Sequence, residues 1–376
     1  MFLLEKLESQ IKQFPQRIAF TDGDDPRVMR AARKYLGAGF GVPALIGNAH
    51  KINAISQNLN MDLEGITIVD PQESEWIPEF QDIAKIHPVL QNLTEEETLD
   101  YVKKPNAFGA LMLECGHADT LLVGASAKVR TVMPPIKHFL GRNQLSDEIS
   151  SMILLDSRNS SIGANGLLFV SDAILHPDPS DAHLAKTAIS LAQICKHMVL
   201  ETPRVGLLGH TNANHASEDP STIKMQSAAQ MARDLAESIH LDCEVAGEIQ
   251  ADVALDTSIA RLKEKYDLLQ GNANVLIFPN LDAAKISLKL LQVIADVGSY
   301  GSVLLGFQHA VGCISRSMQS KDIYGTAVLL AYLALHDYLL EPLAKELFLK
   351  AEENFSHSGK SRITLAGTAA GLAARR

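Results

Sequence analysis

The sequence has little cysteine, and none of it is arranged in a recognisable motif. The four cysteines are far apart in the chain and form no C-x-x-C pair. This spacing argues against a disulfide framework and against a cysteine-based zinc site, and it favours a reducing compartment. The cytoplasm is the expected location.

Long apolar runs are also missing. The most apolar stretch, residues 323–335, covers about thirteen residues, whereas a helix needs roughly 18 to 20 to cross a bilayer. It predicts a buried helix instead. Charges interrupt the first eight residues, which predicts an amphipathic helix rather than a signal peptide. No membrane partner is expected.

The chain has no excess of positive charge. It carries 34 Lys and Arg against 44 Asp and Glu, for a formal net charge of -10. Such a balance gives no general attraction to nucleic acid, so a phosphate-bearing ligand has to be held by a few local cations. A length of 376 residues favours two domains.

What the sequence does contain is a regular alternation of short apolar runs with longer helical patterns. This alternation predicts mainly parallel strands flanked by helices, with ligands bound beyond the carboxyl ends of the strands. The predicted strands are 17–21, 42–46, 66–69, 120–124, 166–172, 204–209, 274–279 and 302–306. A polar, turn-prone segment at 140–147 predicts a domain boundary, and residues from Glu341 onward predict a helical appendage.

Three residues near the predicted buried helix have side chains suited to catalysis. Ser315 and Arg316 precede the helix, and Asp322 follows within the same eight-residue run. A guanidinium suits a phosphate, a carboxylate can accept a proton, and a hydroxyl can hydrogen-bond an oxygen that gains charge. Helix capping and a surface ion pair are the alternative explanation for these residues.

Several segments, taken in order, carry a resemblance to a known family. They are 17–28, 43–48, 118–125, 169–179, 247–254, 273–279, and Ser315-Arg316 with Asp322 six residues later. Over roughly residues 17–335 the chain resembles the phosphate acyltransferase family of phosphotransacetylases and phosphotransbutyrylases.

The resemblance implies reversible transfer of a short acyl group, acetyl above all, between coenzyme A and phosphate by direct attack in a ternary complex. It implies two α/β domains of the isocitrate dehydrogenase type with a cleft between them. We place the first domain at 1–145 plus 305–376 and the second at 146–304. Acyl-CoA and phosphate are the expected substrates, with no metal or cofactor, and a homodimer is the expected assembly.

The resemblance also implies roles for individual residues. Asp322 would take the thiol proton, Ser315 would stabilise the oxyanion, and Arg316 would neutralise the departing phosphate. The expected substrate-binding residues are Arg130, Gln250 and Lys289. An ordinary Asp pKa of about 3.9 lies far below a thiol pKa of about 8.5, so the pKa of Asp322 has to rise or that of the thiol has to fall.

The chain departs from the family pattern at several positions. Pro134-Pro135 stands where the family has Arg-Pro, so Arg130, one helical turn earlier, is the candidate replacement for the lost cation. Gly301-Ser302 replaces Gly-Pro, and Lys285 replaces a common Asn. These changes keep three alternatives open: phosphotransbutyrylase activity, a catalytically silent acyl-CoA sensor, and, with less support, a related dehydrogenase.

Two histidines in a probable loop, His210 and His215, invite comparison with a metal site. No carboxylate or third ligand stands at a recognisable spacing from them. No metal is therefore expected.

Overall fold

A computed structural model describes residues 2–142, 149–171, 174–212, 219–263 and 268–336. Within these ranges eleven strands form one continuous sheet. In chain order they are β1 (Ile18–Phe20), β2 (Pro43–Ile46), β3 (Thr67–Val69), β4 (Thr120–Val123), β5 (Ser150–Asp156), β6 (Leu167–Ser171), β7 (Arg204–Leu208), β8 (Glu244–Ile249), β9 (Val275–Ile277), β10 (Gly298–Leu305) and β11 (Ala310–Cys313).

The strand order is β3-β2-β1-β4-β11-β10-β5-β6-β9-β7-β8. Neighbours are parallel from β3 to β11 and again from β6 to β8. The pairings of β11 with β10, β10 with β5 and β5 with β6 are antiparallel. Two parallel regions therefore flank an antiparallel centre.

Thirteen helices are described with this sheet. They are α1 (Phe2–Gln13), α2 (Pro26–Gly37), α3 (Ala49–Asn58), α4 (Ile77–Ile86), α5 (Glu95–Val102), α6 (Pro105–Glu114), α7 (Val129–Phe139), α8 (Asp181–Val199), α9 (Pro220–Ser238), α10 (Ala251–Leu255), α11 (Thr257–Lys263), α12 (Leu281–Ile294) and α13 (Ser320–Leu335). The predicted fold class, mixed α/β with mainly parallel strands covered by helices, is confirmed.

The apolar run near the carboxyl end forms α13. Every residue of this helix from Ile323 to Ala334 is buried, and the helix packs against α1, α2 and β10. A helix that is apolar on all sides is stable only when its neighbours cover it, which confirms the prediction of a buried helix. None of the described helices is both long and apolar enough to cross a membrane.

All eight predicted strands are present, with ends that differ by a few residues. Three strands were missed. β5 directly follows the polar segment that predicted a boundary, β8 is interrupted by polar residues, and β11 is short and contains glycine. Most of the predicted boundary at 140–147 and the whole appendage from Glu341 lie outside the described residues.

Candidate active site

The site begins where three neighbouring parallel strands end. β1, β4 and β11 lie side by side, so the residues that follow them meet at one edge of the sheet. The buried Asp22, which follows β1, accepts hydrogen bonds of 3.0 Å from the backbone N–H groups of Gly124, Ala125 and Ser126, which follow β4. The carboxylate thereby fixes the first turn after β4 beside Ser315, which follows β11.

A cavity of about 430 Å³ opens at this edge. Residues from both predicted domains line it. They are Ala127, Lys128, Val129, Arg130, Ile153, Ile174, Lys285, Leu288, Lys289, Gln292, Ser299, Gly301, Ser302, Cys313, Ile314, Ser315, Arg316 and Met318.

The charge of this lining is of one sign. Among the described residues that form it, five carry cationic groups and none is Asp or Glu: Lys128, Arg130, Lys285, Lys289 and Arg316. The whole chain is acidic, so this cluster is a local exception. The amino end of α7 adds its dipole beside Lys128 and Arg130. The cavity is therefore suited to an anion.

The structure places the predicted Ser315, Arg316 and Arg130 together in this lining. The side chains of Arg316 and Arg130 are exposed, and within the described part of the chain neither guanidinium is seen to form a hydrogen bond or ion pair. Both are available to a ligand. A guanidinium is a planar fork of donors that matches a phosphate.

Lys289 joins the two sides of the cavity. Its ammonium group, on α12, donates to the Ser317 hydroxyl at 3.1 Å and to Gln292 at 3.0 Å. The Ser317 hydroxyl is in turn 3.0 Å from that of Ser315. Burial, and then the neighbouring cation of Lys285, lower the pKa of Lys289. Hydrogen bonds thus connect Lys289 through Ser317 to Ser315.

Asp322 lies in the first turn of α13, at the margin of the cavity. It is not itself among the lining residues, but the backbone N–H of Ser299, which does line the cavity, approaches its carboxylate. Burial raises the pKa of Asp322 above its ordinary value, and Asp296 adds to this effect. Lys321 and the backbone N–H groups of Ser299 and Gln319 oppose it. The net direction is the one that a general base for a thiol requires.

The third predicted substrate-binding residue, Gln250, lies elsewhere. It is outside the cavity lining, at the end of β8, where its side chain donates to the His210 carbonyl at 2.8 Å and accepts from Asn212 at 3.3 Å and Lys263 at 3.1 Å. These contacts hold the turn after β7 against β8. The substrate-binding role of Gln250 stays a prediction.

The thiol at the cavity is not activated as a nucleophile. Cys313 lines the cavity but is 3% exposed, and burial raises the pKa of its thiol to about 12. His215 lies outside the described residues, and among those described no three His, Cys, Asp or Glu side chains are grouped so as to hold a metal ion.

Apart from the cations, much of the lining is apolar. Its apolar side chains include those of Val129, Ile153, Ile174, Leu288, Ile314 and Met318. An apolar wall of this kind suits a short carbon chain attached to a charged group.

Sequence reasoning missed three of the residues at the site. Lys128 and Lys285 line the cavity, and Ser317 connects Lys289 to Ser315. Lys128 could have been found, because it follows a predicted strand at the edge where ligands bind. In the sequence, Lys285 stands out only as a departure from the family pattern.

Known proteins match the chain along most of its length. A family model described as "Phosphate acetyl/butaryl transferase" matches residues 2–331. The phosphate acetyltransferase of Acetivibrio thermocellus is 29% identical over 331 residues, which cover 88% of this chain and 98% of that protein. That of Thermoanaerobacterium thermosaccharolyticum is 29% identical over 327 residues, covering 86% and 96%.

Solved structures agree in fold. The EutD phosphotransacetylase from Staphylococcus aureus superposes with a TM-score of 0.76 at 25% identity, covering 88% of this chain and 98% of that one. A phosphotransacetylase from Streptococcus pyogenes gives 0.77 at 23% identity, covering 89% and 98%, which supports the fold alone. The match of the family model to nearly the whole described chain, together with the cationic cavity at the strand ends, shows that this protein belongs to the phosphate acetyl/butyryl transferase family of acyltransferases.

Proposed function

We propose that the protein transfers an acetyl group reversibly between coenzyme A and inorganic phosphate, giving acetyl phosphate and the free thiol. The observation that carries the proposal is the cavity in which Ser315, Arg316 and four further cations meet at the strand ends. The curated relatives that match the chain over most of its length are named phosphate acetyltransferases, which favours acetyl over butyryl.

In the direction of acetyl-CoA synthesis, the coenzyme A sulfur attacks the carbonyl carbon of acetyl phosphate. A carbon–sulfur bond forms, the bond between that carbon and the bridging phosphate oxygen breaks, and phosphate leaves with the electron pair. Arg316 neutralises the departing phosphate, and the Ser315 hydroxyl donates to the carbonyl oxygen as it gains charge. The thiol proton passes to Asp322 and finally to phosphate.

The surroundings of Asp322 support this assignment. A carboxylate with an ordinary pKa would be a weak base toward a thiol. Burial raises the pKa of Asp322 and so brings it closer to the pKa of the thiol. The five cations of the cavity bring the two pKa values still closer. Positive charge near the sulfur favours the thiolate and so lowers the pKa of the coenzyme A thiol.

The experiment is an assay of phosphate-dependent thiol release from acetyl-, propionyl- and butyryl-CoA. Arg316→Ala and Asp322→Ala are compared with the wild type and with Arg30→Ala and Asp100→Ala, exposed residues of α2 and α5 outside the cavity lining. Each active-site variant should lose at least about a hundredfold in turnover, the scale for loss of a charge-stabilising or proton-transfer group. The controls should match the wild type.

Three other outcomes would each change the proposal. An unaltered rate in either active-site variant refutes the role given to that residue. Faster turnover of butyryl-CoA than of acetyl-CoA replaces acetyl with a longer acyl group. Tight binding of acyl-CoA with no turnover of any thioester identifies a silent sensor, which is the alternative raised by the loss of the family Arg before Pro135.

The proposal includes a two-domain enzyme with coenzyme A as its substrate and no metal or cofactor, working in the cytoplasm as a homodimer. The division at 1–145 plus 305–376 and 146–304 is supported by the two parallel regions of the sheet.

The four cysteines are free, in keeping with a reducing compartment. The homodimer is supported by an exposed apolar row on α12, which a second copy would cover: Ile286, Leu290, Val293 and Ile294.

A further inference from the structure

We propose that Arg27 is a positioning residue that fixes the loop carrying Ser315 and Arg316 by binding its backbone carbonyl groups. This inference rests on the proposed function, because it concerns the same site. It adds a residue for which neither the sequence nor the resemblance suggested a role in the reaction.

Every donor of the Arg27 guanidinium is engaged. Nη1 donates to the Arg316 carbonyl at 2.5 Å and to the Met318 carbonyl at 3.0 Å. Nη2 donates to the Ala125 carbonyl at 2.9 Å and to Asp25 at 2.6 Å, and Nε donates to Asp25 at 3.0 Å. A guanidinium has five N–H donors, so none remains for a substrate. Arg27 therefore cannot be a ligand-binding cation in this arrangement.

The contacts tie together three segments of the chain. Arg27 is in the first turn of α2, which follows β1; Ala125 follows β4; and Arg316 and Met318 follow β11. Asp25 caps α2 by accepting from the Arg27 backbone N–H at 2.8 Å, and its carboxylate also orients the guanidinium. One side chain thus connects the three segments that follow β1, β4 and β11 at this edge of the sheet.

The other hydrogen bonds of the loop involve different groups. The Met318 N–H donates to the Ser315 carbonyl at 2.9 Å, which closes a turn, and the Lys289 ammonium donates to the Ser317 hydroxyl at 3.1 Å. Without Arg27 the carbonyl groups of Arg316 and Met318 lose these partners. The turn then has less to hold it in one orientation toward the cavity. A lysine can replace Arg27 only in part, because a single ammonium lacks the planar fork that reaches all these acceptors.

The first test is a double-mutant cycle between Arg27→Ala and Arg316→Ala in the thiol-release assay, with Arg30→Ala, one turn along α2, as the matched control. A displacement of about 1 Å at a catalytic group can cost about a hundredfold, so Arg27→Ala should lower kcat/KM by roughly 10- to 100-fold in the wild-type background. In the Arg316→Ala background the same substitution should cost at least about threefold less than it does in the wild type, because one of the two catalytic side chains on the loop is gone. Arg27→Lys should lie between the alanine variant and the wild type.

The second test does not depend on activity. Hydrogen exchange of the segment 313–319 should become faster in Arg27→Ala, and to a lesser degree in Arg27→Lys, while exchange in α8 stays unchanged. If Arg27→Ala does not fold, Arg27→Lys carries both tests.

Equal losses from Arg27→Ala in both backgrounds would overturn the inference, and so would unchanged exchange in 313–319. If no acyl-CoA is turned over by the wild type, the proposed function fails, while the exchange experiment still decides whether Arg27 holds the loop.

Discussion

The Lys289 ammonium donates a 3.1 Å hydrogen bond to the Ser317 hydroxyl and so links α12 to the loop that carries Ser315 and Arg316. The link crosses the cavity from one predicted domain to the other. Because the Ser317 hydroxyl is also 3.0 Å from that of Ser315, the lysine both adds positive charge to the cavity and helps to orient the hydroxyl that we propose to be catalytic.

Lys289→Met should therefore weaken phosphate binding more than it weakens binding of the apolar part of the substrate. Hydrogen bonds to charged groups contribute about 1.5–3 kcal/mol, which corresponds to roughly a 10- to 100-fold rise in the KM for phosphate. Ser317→Ala, which leaves the ammonium in place, should have a smaller effect. Steady-state kinetics with varied phosphate gives the KM for phosphate of both variants. Lys186→Met, on the exposed face of α8, is the matched control. A KM for phosphate equal to that of the wild type in Lys289→Met would refute the role of this cation.

The pH dependence of the reaction should report the charges around Asp322. As a general base this residue is active when deprotonated, so kcat/KM should fall as pH decreases through its raised pKa. Asp296 raises the pKa of Asp322 and Lys321 lowers it. Asp296→Asn should therefore move the acid limb of the profile to lower pH, and Lys321→Met should move it to higher pH.

In each of these two variants, a second effect shifts the pKa of Asp322 in the same direction as the first. Lys321 and Asp296 form an ion pair at 3.3 Å, so removing either one also releases the other to act on Asp322. Profiles of kcat/KM against pH for the two variants and the wild type provide the measurement. Shifts in the same direction, or none, would mean that the acid limb belongs to a different group.

Cysteine chemistry should be dispensable. Burial raises the pKa of Cys115, Cys195 and Cys313 to about 12 and that of Cys243 to about 11, so at pH 8 almost no thiolate is present. Treatment with iodoacetamide at pH 8 should leave turnover nearly unchanged, and Cys313→Ala should retain activity within about threefold. Rapid inactivation that acetyl-CoA prevents would instead indicate a reactive thiol at the site.

The sequence was sufficient for the fold class and for proposing Ser315, Arg316 and Asp322 as site residues, because both depend on local patterns. Strand-like runs and the buried α13 are visible as apolar periodicity, and Ser315-Arg316 with Asp322 is a short motif. Contacts between distant segments leave no such signal. The bonds of Arg27 to the loop at 316–318 span about 290 residues of chain, and those of Asp22 to 124–126 span about 103. Only the parallel pairing of β1, β4 and β11 brings these groups together.

A substitution of Asp22 tests whether its carboxylate holds the turn after β4. Its buried carboxylate accepts from three successive backbone N–H groups and from the Ser126 hydroxyl. Asp22→Asn places an amide NH2 donor where these donors point, so at least one N–H loses its acceptor, at a cost of about 1–3 kcal/mol in the free energy of unfolding. The turn that leads to Lys128 and Arg130 should loosen at the same time, with a fall in kcat. Urea unfolding and thiol release measure the two effects, and Asp24→Asn, an exposed carboxylate two residues away, should change neither. Equal stability of Asp22→Asn and Asp24→Asn would show that the turn after β4 is held by other contacts.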